Sequence, residues 1–443
     1  MATSIPAART GETPGASIPG RITLSYPGKR PEEEIRLTPP VRPACLWTPT
    51  DDPAEAGRNR LYHGDNLGVL AALREDPDVR GHVRLVYIDP PYATGGTFDS
   101  RQQEHAYADM LAGAEYVEAL RARLVLLHDL LAADGSIYVH LDDYMAWPMK
   151  IVMDEVFGAG NYRSWITRKK CNPKNYTSKT YGNVSDFILF YSKGDGYVWH
   201  RALEPWTAER ADKEYQFVDE QGRKYKRVPV HAPGTRNGAT GGSWRGKMPP
   251  PGKHWQYTPA TLDEMDARGD IYWSKNGNPR RKVYFEGSEG VPVQDIWLDC
   301  RDVHNQNTRI TGYPTEKPSA LLRRIIGASS NPGDIVLDCY AGAGTTLHVA
   351  SEMGRRWIGV DDSTQSIMTI LRRLRHGLQP MGDYVARREG ANTAQLTLGL
   401  VAPALMSGGD AHDIIDDFTL YAAGSASPLD RDRCARVWTG DGA

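Results

Sequence analysis

Cysteine is scarce in this sequence, and its few cysteines are not arranged to bind a metal. The 443 residues include five, all separated by long stretches of chain: Cys45, Cys171, Cys300, Cys339 and Cys434. Structural zinc sites and disulfide-stabilised folds need paired cysteines at short spacings. The sequence therefore predicts neither a metal site nor a disulfide framework, and it favours the reducing cytoplasm.

Long apolar runs are also missing. The first residues, MATSIPAARTGETPGASIPGR, lack the apolar core of about 7–15 residues that defines a secretory signal. No segment approaches the ~20 apolar residues of a membrane helix. We therefore expect a cytoplasmic protein without a membrane contact.

The chain has almost no net charge. Lys and Arg number 53, Asp and Glu number 55, and the formal net charge is −2 at pH 7. Such a balance does not exclude nucleic acid as a partner, because basic residues can gather on one face of a nearly neutral protein. The distribution of charge along the chain is therefore more informative than its sum.

Two segments have the alternating strands and helices of an α/β fold. Residues 58–165 contain the strand-like run VRLVYID, and then a helix, a turn and a strand in GAEYVEALRARLVLLHDLLAADGSIYVHLDD. The alternation returns over residues 306–390, with KPSALLRRIIGASS as a helix and DIVLDCY as a strand. This order predicts a mostly parallel, doubly wound sheet. Residues 1–57, rich in Pro, Gly, Thr and Ala, are predicted to form a flexible arm, and residues 391–443 a tail of unknown role.

The segment between these halves, residues 166–305, has a different composition. RSWITRKKCNPKNYTSKTYG, which begins just before it, carries six Lys or Arg and no acid. RKYKRVPVHAPGTRNGATGGSWRGKMPPPGKHWQY carries eight, again without an acid, and two tryptophans and two tyrosines lie among them. Basic and aromatic side chains in alternation suit phosphate contacts and base stacking, although charge runs are often only solvated surface. The prediction is a basic, loop-rich insertion that contacts nucleic acid.

The stretch VYIDPPYATGG ends the first predicted strand on Asp89, Pro90, Pro91 and Tyr92. Each proline fixes φ and removes a backbone donor, so neither the strand nor a helix continues through this stretch. The result is a stiff loop that presents a carboxylate, carbonyl oxygens and an aromatic ring at the edge of the sheet. A flat polar group would fit there, although a rigid surface turn is the simpler interpretation of these four residues alone.

The stretch GDIVLDCYAGAGTTLHVA is a strand ending at Asp338, followed by a glycine turn and the start of a helix. Gly342 and Gly344 would let a ligand approach the backbone beside the N–H groups of the helix. Asp361 ends the next strand, seventeen residues after Gly344, where a carboxylate suits a ribose hydroxyl pair. This pattern alone fits NAD, FAD or S-adenosylmethionine, although many such glycine triplets are only tight turns and Asp361 could simply cap the next helix.

Together the two motifs resemble those of the DNA methyltransferases that act on exocyclic amines. The family's glycine motif reads approximately D-P-F-x-G-S-G-T-T, and residues 338–346 read DCYAGAGTT, which keeps the acid and both glycines. YHGDNLGVL, IYVHLDD, NVSDFILFYSKG and YPTEKPSALLRRII also resemble family segments, so the likeness spans about residues 58–361. The tetrapeptide precedes the glycine motif, as in the β class, which includes type III modification subunits and their solitary relatives.

The resemblance implies a Rossmann-like methyltransferase fold with an inserted target-recognition domain, S-adenosylmethionine as cofactor, and double-stranded DNA as partner. Asp89 and the carbonyl of Pro90 would accept hydrogen bonds from the amine, while Tyr92 would stack on a base turned out of the duplex. Neither a metal nor a covalent intermediate is required. Positioning would account for most of the catalysis.

The resemblance also assigns residues to the cofactor and to DNA. The cofactor residues are Asp65, Lys317, Asp338, Tyr340, Gly342, Gly344, Thr345 and Asp361. Asp65 could instead cap the helix that begins near Leu67, and Lys317 could be a solvated residue of a first helical turn. Within the basic insertion, the DNA residues are Arg168, Lys169, Lys170, Lys224, Arg227, Trp244 and Arg245.

Several functions fit these motifs. The initial Asp of the tetrapeptide favours N6 of adenine, because family members acting on N4 of cytosine more often carry Ser there. An amine methylase for RNA or protein is more distant, since such chains usually place the glycine loop first and lack a large basic insertion. An inactive DNA-binding subunit would not need Asp89 and Asp361. A homodimer and a restriction or defence partner fit the class but have no signature in the sequence.

Overall fold

The computed structural model describes the chain in two compact units. The described residues are 22–50, 58–91, 97–99, 105–108, 113–173, 179–302, 311, 313, 316–378, 414–424 and 429–440, and for 97–99 and 105–108 only the backbone is described. Of these residues, those up to Ala202 and those from Gln294 onward form the large unit. The inserted unit is Leu203–Val293.

The described strands are, in chain order, β1 (Ala44–Trp47), β2 (Asn59–His63), β3 (Val83–Ile88), β4 (Thr97–Asp99), β5 (His105–Ala108), β6 (Leu131–Leu141), β7 (Tyr162–Lys169), β8 (Ser185–Ser192), β9 (Leu203–Glu204), β10 (Phe217–Val218), β11 (Lys224–Pro229), β12 (His231–Pro233), β13 (Lys253–Trp255), β14 (Ile271–Trp273), β15 (Pro279–Tyr284), β16 (Val291–Pro292), β17 (Ile296–Trp297), β18 (Ile335–Asp338), β19 (Arg356–Asp361) and β20 (Phe418–Ala422).

The described α-helices are α1 (Glu32–Arg36), α2 (Asn66–Glu75), α3 (Ala114–Leu130), α4 (Ala146–Met153), α5 (Ala208–Glu214), α6 (Pro259–Ala267), α7 (Ser319–Ser329), α8 (Thr345–Glu352), α9 (Thr364–His376) and α10 (Arg431–Thr439). A π-helical turn at Asp154–Gly158 and a 3₁₀ turn at Ala159–Asn161 follow α4, and a second 3₁₀ turn lies at Ala239–Gly241. None of the helices described here is long and apolar enough to cross a membrane.

The large unit is built on a ten-stranded sheet with the order β1-β20-β2-β19-β18-β3-β6-β8-β7-β17. The central strands, from β20 to β6, all pair in parallel. Antiparallel pairing is confined to β1 at one end and to the β6–β8–β7 segment near the other. This topology confirms the predicted α/β class with a mostly parallel sheet.

Both faces of the sheet are buried, as a doubly wound fold requires. Successive residues of a strand point to opposite faces. Val86 and Ile88 of β3 join a large apolar cluster with α2, α3 and α4. The alternate residues Leu85 and Tyr87 are equally buried but lie outside that cluster, on the second face.

Helices α7 and α8 cover the second face. The hydroxyl groups of Tyr138, which pairs with Tyr87 across the sheet, and of Ser329 in α7 are hydrogen bonded at 2.7 Å. The indole N–H of Trp357 in β19 donates to Ser351 in α8, also at 2.7 Å. Burial on two sides explains why VRLVYI and DIVLD read as continuous apolar runs rather than alternating ones.

The described parts of the predicted arm and tail belong to the large unit. Strand β20 extends the sheet in parallel beside β2, and β1 pairs antiparallel with β20 at the edge. The ring of Trp47 lies 6.1 Å from that of Phe418 and 5.4 Å from that of Trp438 in α10, measured between centroids. Each of these strands has only four or five residues, too few to show periodicity in a segment rich in Pro, Gly and Asp.

The insertion is shorter than predicted. Strands β7 and β8 pair antiparallel and continue the large sheet, so the described residues between 166 and 202 belong to the large unit. The inserted unit contains a four-stranded sheet, β10-β11-β15-β14. The basic composition of residues 163–182 concealed the boundary, because the strand signal of β7 carries lysine and arginine at its end.

Candidate active site

A cleft lies at the carboxyl ends of the central strands of the large unit. Strands β3, β18 and β19 are neighbours in the sheet, so the loops that follow them meet at one edge. In open α/β sheets, ligands bind at this edge. Nine residues predicted for catalysis or cofactor binding line the cleft: Asp89, Pro90, Pro91, Lys317, Asp338, Tyr340, Gly342, Thr345 and Asp361.

Three predicted residues are not among those lining it. Tyr92 lies outside the described residues, so stacking by its ring stays a prediction. Asp65 caps α2, accepting from the Gly68 N–H at 3.4 Å, and pairs with Arg123 at 2.9 Å. Its side chain is 65% exposed, which fits the capping alternative; a cofactor contact stays a prediction.

Gly344, the third of these residues, shapes the glycine loop. It adopts a left-handed conformation, with φ of 72°, directly before α8. A Cβ atom at this position would lie 2.8 Å from a side-chain carbon of Ile370 in α9. The glycine is therefore required for the turn and for the close packing of the loop on α9.

Asp89 is held at the end of β3 by an ion pair with Lys317. The ammonium of Lys317 contacts the Oδ2 atom of Asp89. The Lys317 side chain is 8% exposed, so the pair is largely shielded from water. Lys317, predicted to lie near the cofactor, thus contacts the predicted catalytic carboxylate directly.

A buried polar network lies behind Asp89, and sequence reasoning missed it. His140 of β6 is fully buried, with Nδ1 2.9 Å from the Tyr87 hydroxyl and 4.0 Å from Asp89 Oδ1. Its Nε2 atom lies 3.0 Å from Asp186 of β8. Burial works to raise the pKa of Asp186, but His140 and Arg168 outweigh it and lower that pKa to about 2. The only feature of the sequence that indicated this network was a histidine, His140, within the apolar run IYVHL.

Asp338 is buried at the end of β18 and accepts two hydrogen bonds. The Thr346 hydroxyl donates at 2.6 Å and the Tyr340 N–H at 3.0 Å. Burial raises the pKa of Asp338 to about 7, despite these two donors, and the nearby carboxylates of Asp89 and Asp361 add to the rise. The cleft therefore holds a carboxyl group that titrates near neutral pH.

This raised pKa predicts a pH-dependent stability. Between about pH 4 and pH 7 the folded protein keeps the Asp338 proton while the unfolded chain has lost it, so stability falls as pH rises. The slope reaches about 1.4 kcal/mol per pH unit for one such group. An Asp338→Asn variant keeps the shape of the side chain but not the titration, so its stability should fall less steeply. Melting temperatures of both proteins from pH 5 to pH 8 measure the difference, and parallel curves would contradict the assignment.

Asp361 ends β19 and ties two loops together. Its carboxylate accepts from the Gly342 N–H at 2.8 Å and from the Ser363 N–H at 3.0 Å. Burial is the main cause that raises its pKa to about 7, and the adjacent Asp362 adds to it. Gly342 has a φ of 51°, a left-handed conformation that lets the loop fold toward this carboxylate.

The donor set of the cleft fits S-adenosylmethionine. Three carboxylates, Asp89, Asp338 and Asp361, suit a molecule that carries an ammonium, a sulfonium and ribose hydroxyls. The rings of Tyr313 and Tyr340 offer apolar surface for an adenine. Across the described ranges, no cluster of His, Cys, Asp or Glu is suited to a metal ion.

The residues predicted to contact DNA fall into distinct environments, and two predictions are corrected. Arg168 is fully buried in the large unit, where its guanidinium contacts Asp186, Asp302 and the Cys300 carbonyl. Trp244 is buried in the core of the inserted unit. Neither side chain is exposed for a DNA contact, because each is buried in the interior of its own unit.

The other five predicted DNA residues retain exposed or half-buried side chains. Lys224 pairs with Asp212 at 2.6 Å, and Arg245 pairs with Asp263 at 2.9 Å and also with Asp266. The remaining three, which are half-buried, are Lys169, Lys170 and Arg227. DNA contact by these residues stays a prediction.

Comparison with known proteins identifies relatives of this chain. The N6_N4_Mtase family, described as "DNA methylase", matches residues 83–372. The type II methyltransferase M.EcaI of Enterobacter cloacae is 44% identical over 425 residues, covering 95% of this chain and 91% of that protein. The StyLTI Mod subunit of Salmonella typhimurium, a type III restriction-modification enzyme, is 29% identical over 66% of this chain and 49% of its own length. The DNA adenine methyltransferase YhdJ of Escherichia coli is 42% identical over 35% of this chain and 59% of that protein.

The family match covers the whole cleft, from β3 through α7 to α9, and M.EcaI aligns along nearly the full chain. These two matches confirm the resemblance found in the motifs. The chain therefore belongs to the N6/N4 DNA methylase family, and it methylates DNA with S-adenosylmethionine as the methyl donor.

Proposed function

We propose that the protein methylates the N6 amino group of adenine at a specific site in duplex DNA. The observation that carries this proposal is the position of Asp89, which opens Asp-Pro-Pro-Tyr and lies in the same cleft as the glycine loop. The initial Asp favours adenine within this family. The similarity to YhdJ, named as an adenine methyltransferase, supports the same base.

The residues of the cleft would orient the amine. An exocyclic amine is a poor nucleophile because its lone pair is delocalised into the ring. Asp89 and the Pro90 carbonyl would accept its two hydrogens and favour a pyramidal nitrogen with the lone pair directed outward. Proline helps because its nitrogen carries no competing donor. A carboxylate has about four acceptor sites, so the contact with Lys317 does not exclude one with the amine.

Lys317 and the network behind Asp89 would keep the carboxylate in place. The ammonium of Lys317 contacts Oδ2 of Asp89 and so restricts the position of this side chain, whose oxygens act as charge-assisted acceptors. Tyr87, which lines the cleft, is fixed by His140. S-adenosylmethionine supplies the electrophilic methyl group, and the side chains of the cleft supply the orientation of the amine.

A methyl-transfer assay tests the choice of base. The protein is incubated with tritiated S-adenosylmethionine and, in separate reactions, with unmethylated bacterial DNA, with RNA or with protein, and the labelled nucleosides are then identified by mass spectrometry. We expect N6-methyl-2′-deoxyadenosine as the labelled product. N4-methyl-2′-deoxycytidine would overturn the base assignment while leaving the family in place, and label found only with RNA or protein would overturn the substrate.

We also propose that the protein is the methyltransferase of a type II restriction-modification system and acts in the cytoplasm. The alignment spans nearly all of M.EcaI but about half of the StyLTI Mod subunit, which favours the type II arrangement. Sequencing of the methylated sites would give the recognition sequence. A homodimer and a restriction or defence partner stay predictions, tested by the mass of the protein in solution and by capture of its partners.

A further inference from the structure

One face of the four-stranded sheet in the inserted unit combines positive charges with aromatic rings. Register places alternate residues of β10, β11, β15 and β14 on this face. We call it the cation–aromatic face, and its members are Phe217, Tyr225, Arg227, Pro229, Tyr272, Arg280, Lys282 and Tyr284. Arg227 lies directly opposite Lys282, and Tyr272 opposite Arg280.

The rings hold the central cation of this face. The guanidinium of Arg227 is 3.5 Å from the ring centroids of both Phe217 and Tyr272, so it lies between two aromatic rings. The ammonium of Lys282 is 5.5 Å from the centroid of Tyr225. Contacts of this kind order long side chains without neutralising their charge.

The cations of the cation–aromatic face keep their charge uncompensated. Among the residues that the structure describes, Arg227, Arg280 and Lys282 form no ion pair. Like charges directly opposite one another on a sheet are destabilising. The pair of Arg227 and Lys282 is therefore maintained at a cost that an anion between them would offset.

The opposite face of the same sheet differs in charge and in packing. Lys226, next to Arg227 in β11, pairs with Glu214 of α5 at 2.7 Å. Arg281 donates to the Tyr257 hydroxyl at 2.6 Å. Ile271 packs into the core of the inserted unit with Leu262 of α6. The rest of the inserted unit thus packs against this face, and Lys226 and Arg281 make their polar contacts within the unit.

We propose that the cation–aromatic face binds the phosphate backbone of duplex DNA, with Arg227, Arg280 and Lys282 contacting phosphates. This inference rests on the proposed function, which makes DNA the polyanion that the protein must hold. Adjacent strands of a sheet lie about 4.8 Å apart, so cations on neighbouring strands can reach neighbouring phosphates. Such contacts set the register of the protein on the duplex, and they do not read sequence.

Binding to a fluorescein-labelled 30-base-pair duplex of random sequence, measured from 50 to 300 mM salt, tests the proposal. The test variant is Arg280→Gln with Lys282→Gln, which removes two charges from the cation–aromatic face. The matched control is Lys213→Gln with Lys226→Gln, which removes two charges from α5 and from the opposite face of the sheet. Melting temperature and S-adenosylmethionine affinity, measured for both, verify that each variant is folded.

We expect the slope of log affinity against log salt to become shallower by about 1.8 in the test variant, since each lost phosphate contact removes about 0.9. The control should keep the slope of the parent protein. Equal slopes in the test variant and the parent, or equal losses in test and control, would overturn the proposal. The readout requires no methyl transfer, so a failure of the cation–aromatic face to bind and a failure of the proposed base or substrate give different results.

Discussion

Replacement of Asp89 by alanine is expected to reduce methyl transfer to DNA by about a hundred- to a thousandfold. This is the range observed when one preorganised hydrogen-bonding partner of a reacting group is removed. DNA affinity should change little, because Asp89 lies in the cleft of the large unit and carries no positive charge. Single-turnover methyl transfer and duplex binding, measured on the same preparation, separate the two effects.

The ion pair between Asp89 and Lys317 means that the Asp89→Ala variant can lose stability as well as activity. A second variant separates these two effects. Alanine at position 89 removes the carboxylate that contacts the largely buried Lys317 ammonium, and loss of one partner of a buried pair costs about 3–5 kcal/mol. Part of any lost activity could therefore come from unfolding. The double variant Asp89→Ala with Lys317→Met removes both charges, and it should be more stable than Asp89→Ala alone.

The stable double variant decides the role of Asp89. If Asp89 accepts the amine hydrogen, the double variant regains stability but not methyl transfer. Lys317→Met alone should keep part of the activity, since the carboxylate is still present but less firmly held. Near-parental turnover by the folded double variant would remove Asp89 from the reaction and leave it a structural partner of Lys317.

Sequence reasoning located the cleft because its residues lie at strand ends. Asp89, Asp338 and Asp361 each follow an apolar run and precede a proline or glycine loop or a polar turn. The carboxyl ends of parallel strands share one edge, so these three had to lie near each other once the strands were neighbours. The spacing along the chain does not show which strands are neighbours in the sheet. The resemblance to a known family predicted that these strands are neighbours.

The network behind Asp89 could not be predicted because its members come from four strands. His140 and Asp186 are 46 residues apart in the sequence, and only the antiparallel pairing of β6 with β8 brings them together. Strand β20 raises the same difficulty, since its partner β2 lies more than 350 residues earlier. Contacts of this range leave no local pattern in either segment.

The basic insertion shows the limit of counting charges. A run of Lys and Arg indicates where cations are, but not which of them folding will pair or bury. Asp263 binds Arg245, and Glu214 binds Lys226, and both acids lie outside the acid-free segments. Arg168 and Trp244 are basic and aromatic residues that folding placed inside their units. Arg227 is the predicted DNA residue that lies on the cation–aromatic face.

Replacement of Asp361 by alanine is expected to weaken cofactor binding by about 10- to 100-fold. Hydrogen bonds to a charged group contribute about 1.5–3 kcal/mol, and about 1.4 kcal/mol corresponds to a factor of ten in affinity. Calorimetric titration with S-adenosylhomocysteine, which has the same ribose and does not react, measures the change. An unaltered dissociation constant would place Asp361 outside the binding site.

A weaker dissociation constant alone would not prove a ribose contact. Asp361 also accepts from Gly342 and Ser363, so its loss could disturb the glycine loop without any contact to the cofactor. A 2′-deoxyribose analogue of S-adenosylhomocysteine distinguishes the two roles. If the carboxylate binds the hydroxyl, the parent protein loses affinity for the analogue, whereas the Asp361→Ala variant, which has no carboxylate there, binds both ligands alike. If the same loss appears in both proteins, Asp361 acts through the loop. An Asp361→Asn variant, which keeps one acceptor for the backbone donors, should then restore most of the affinity.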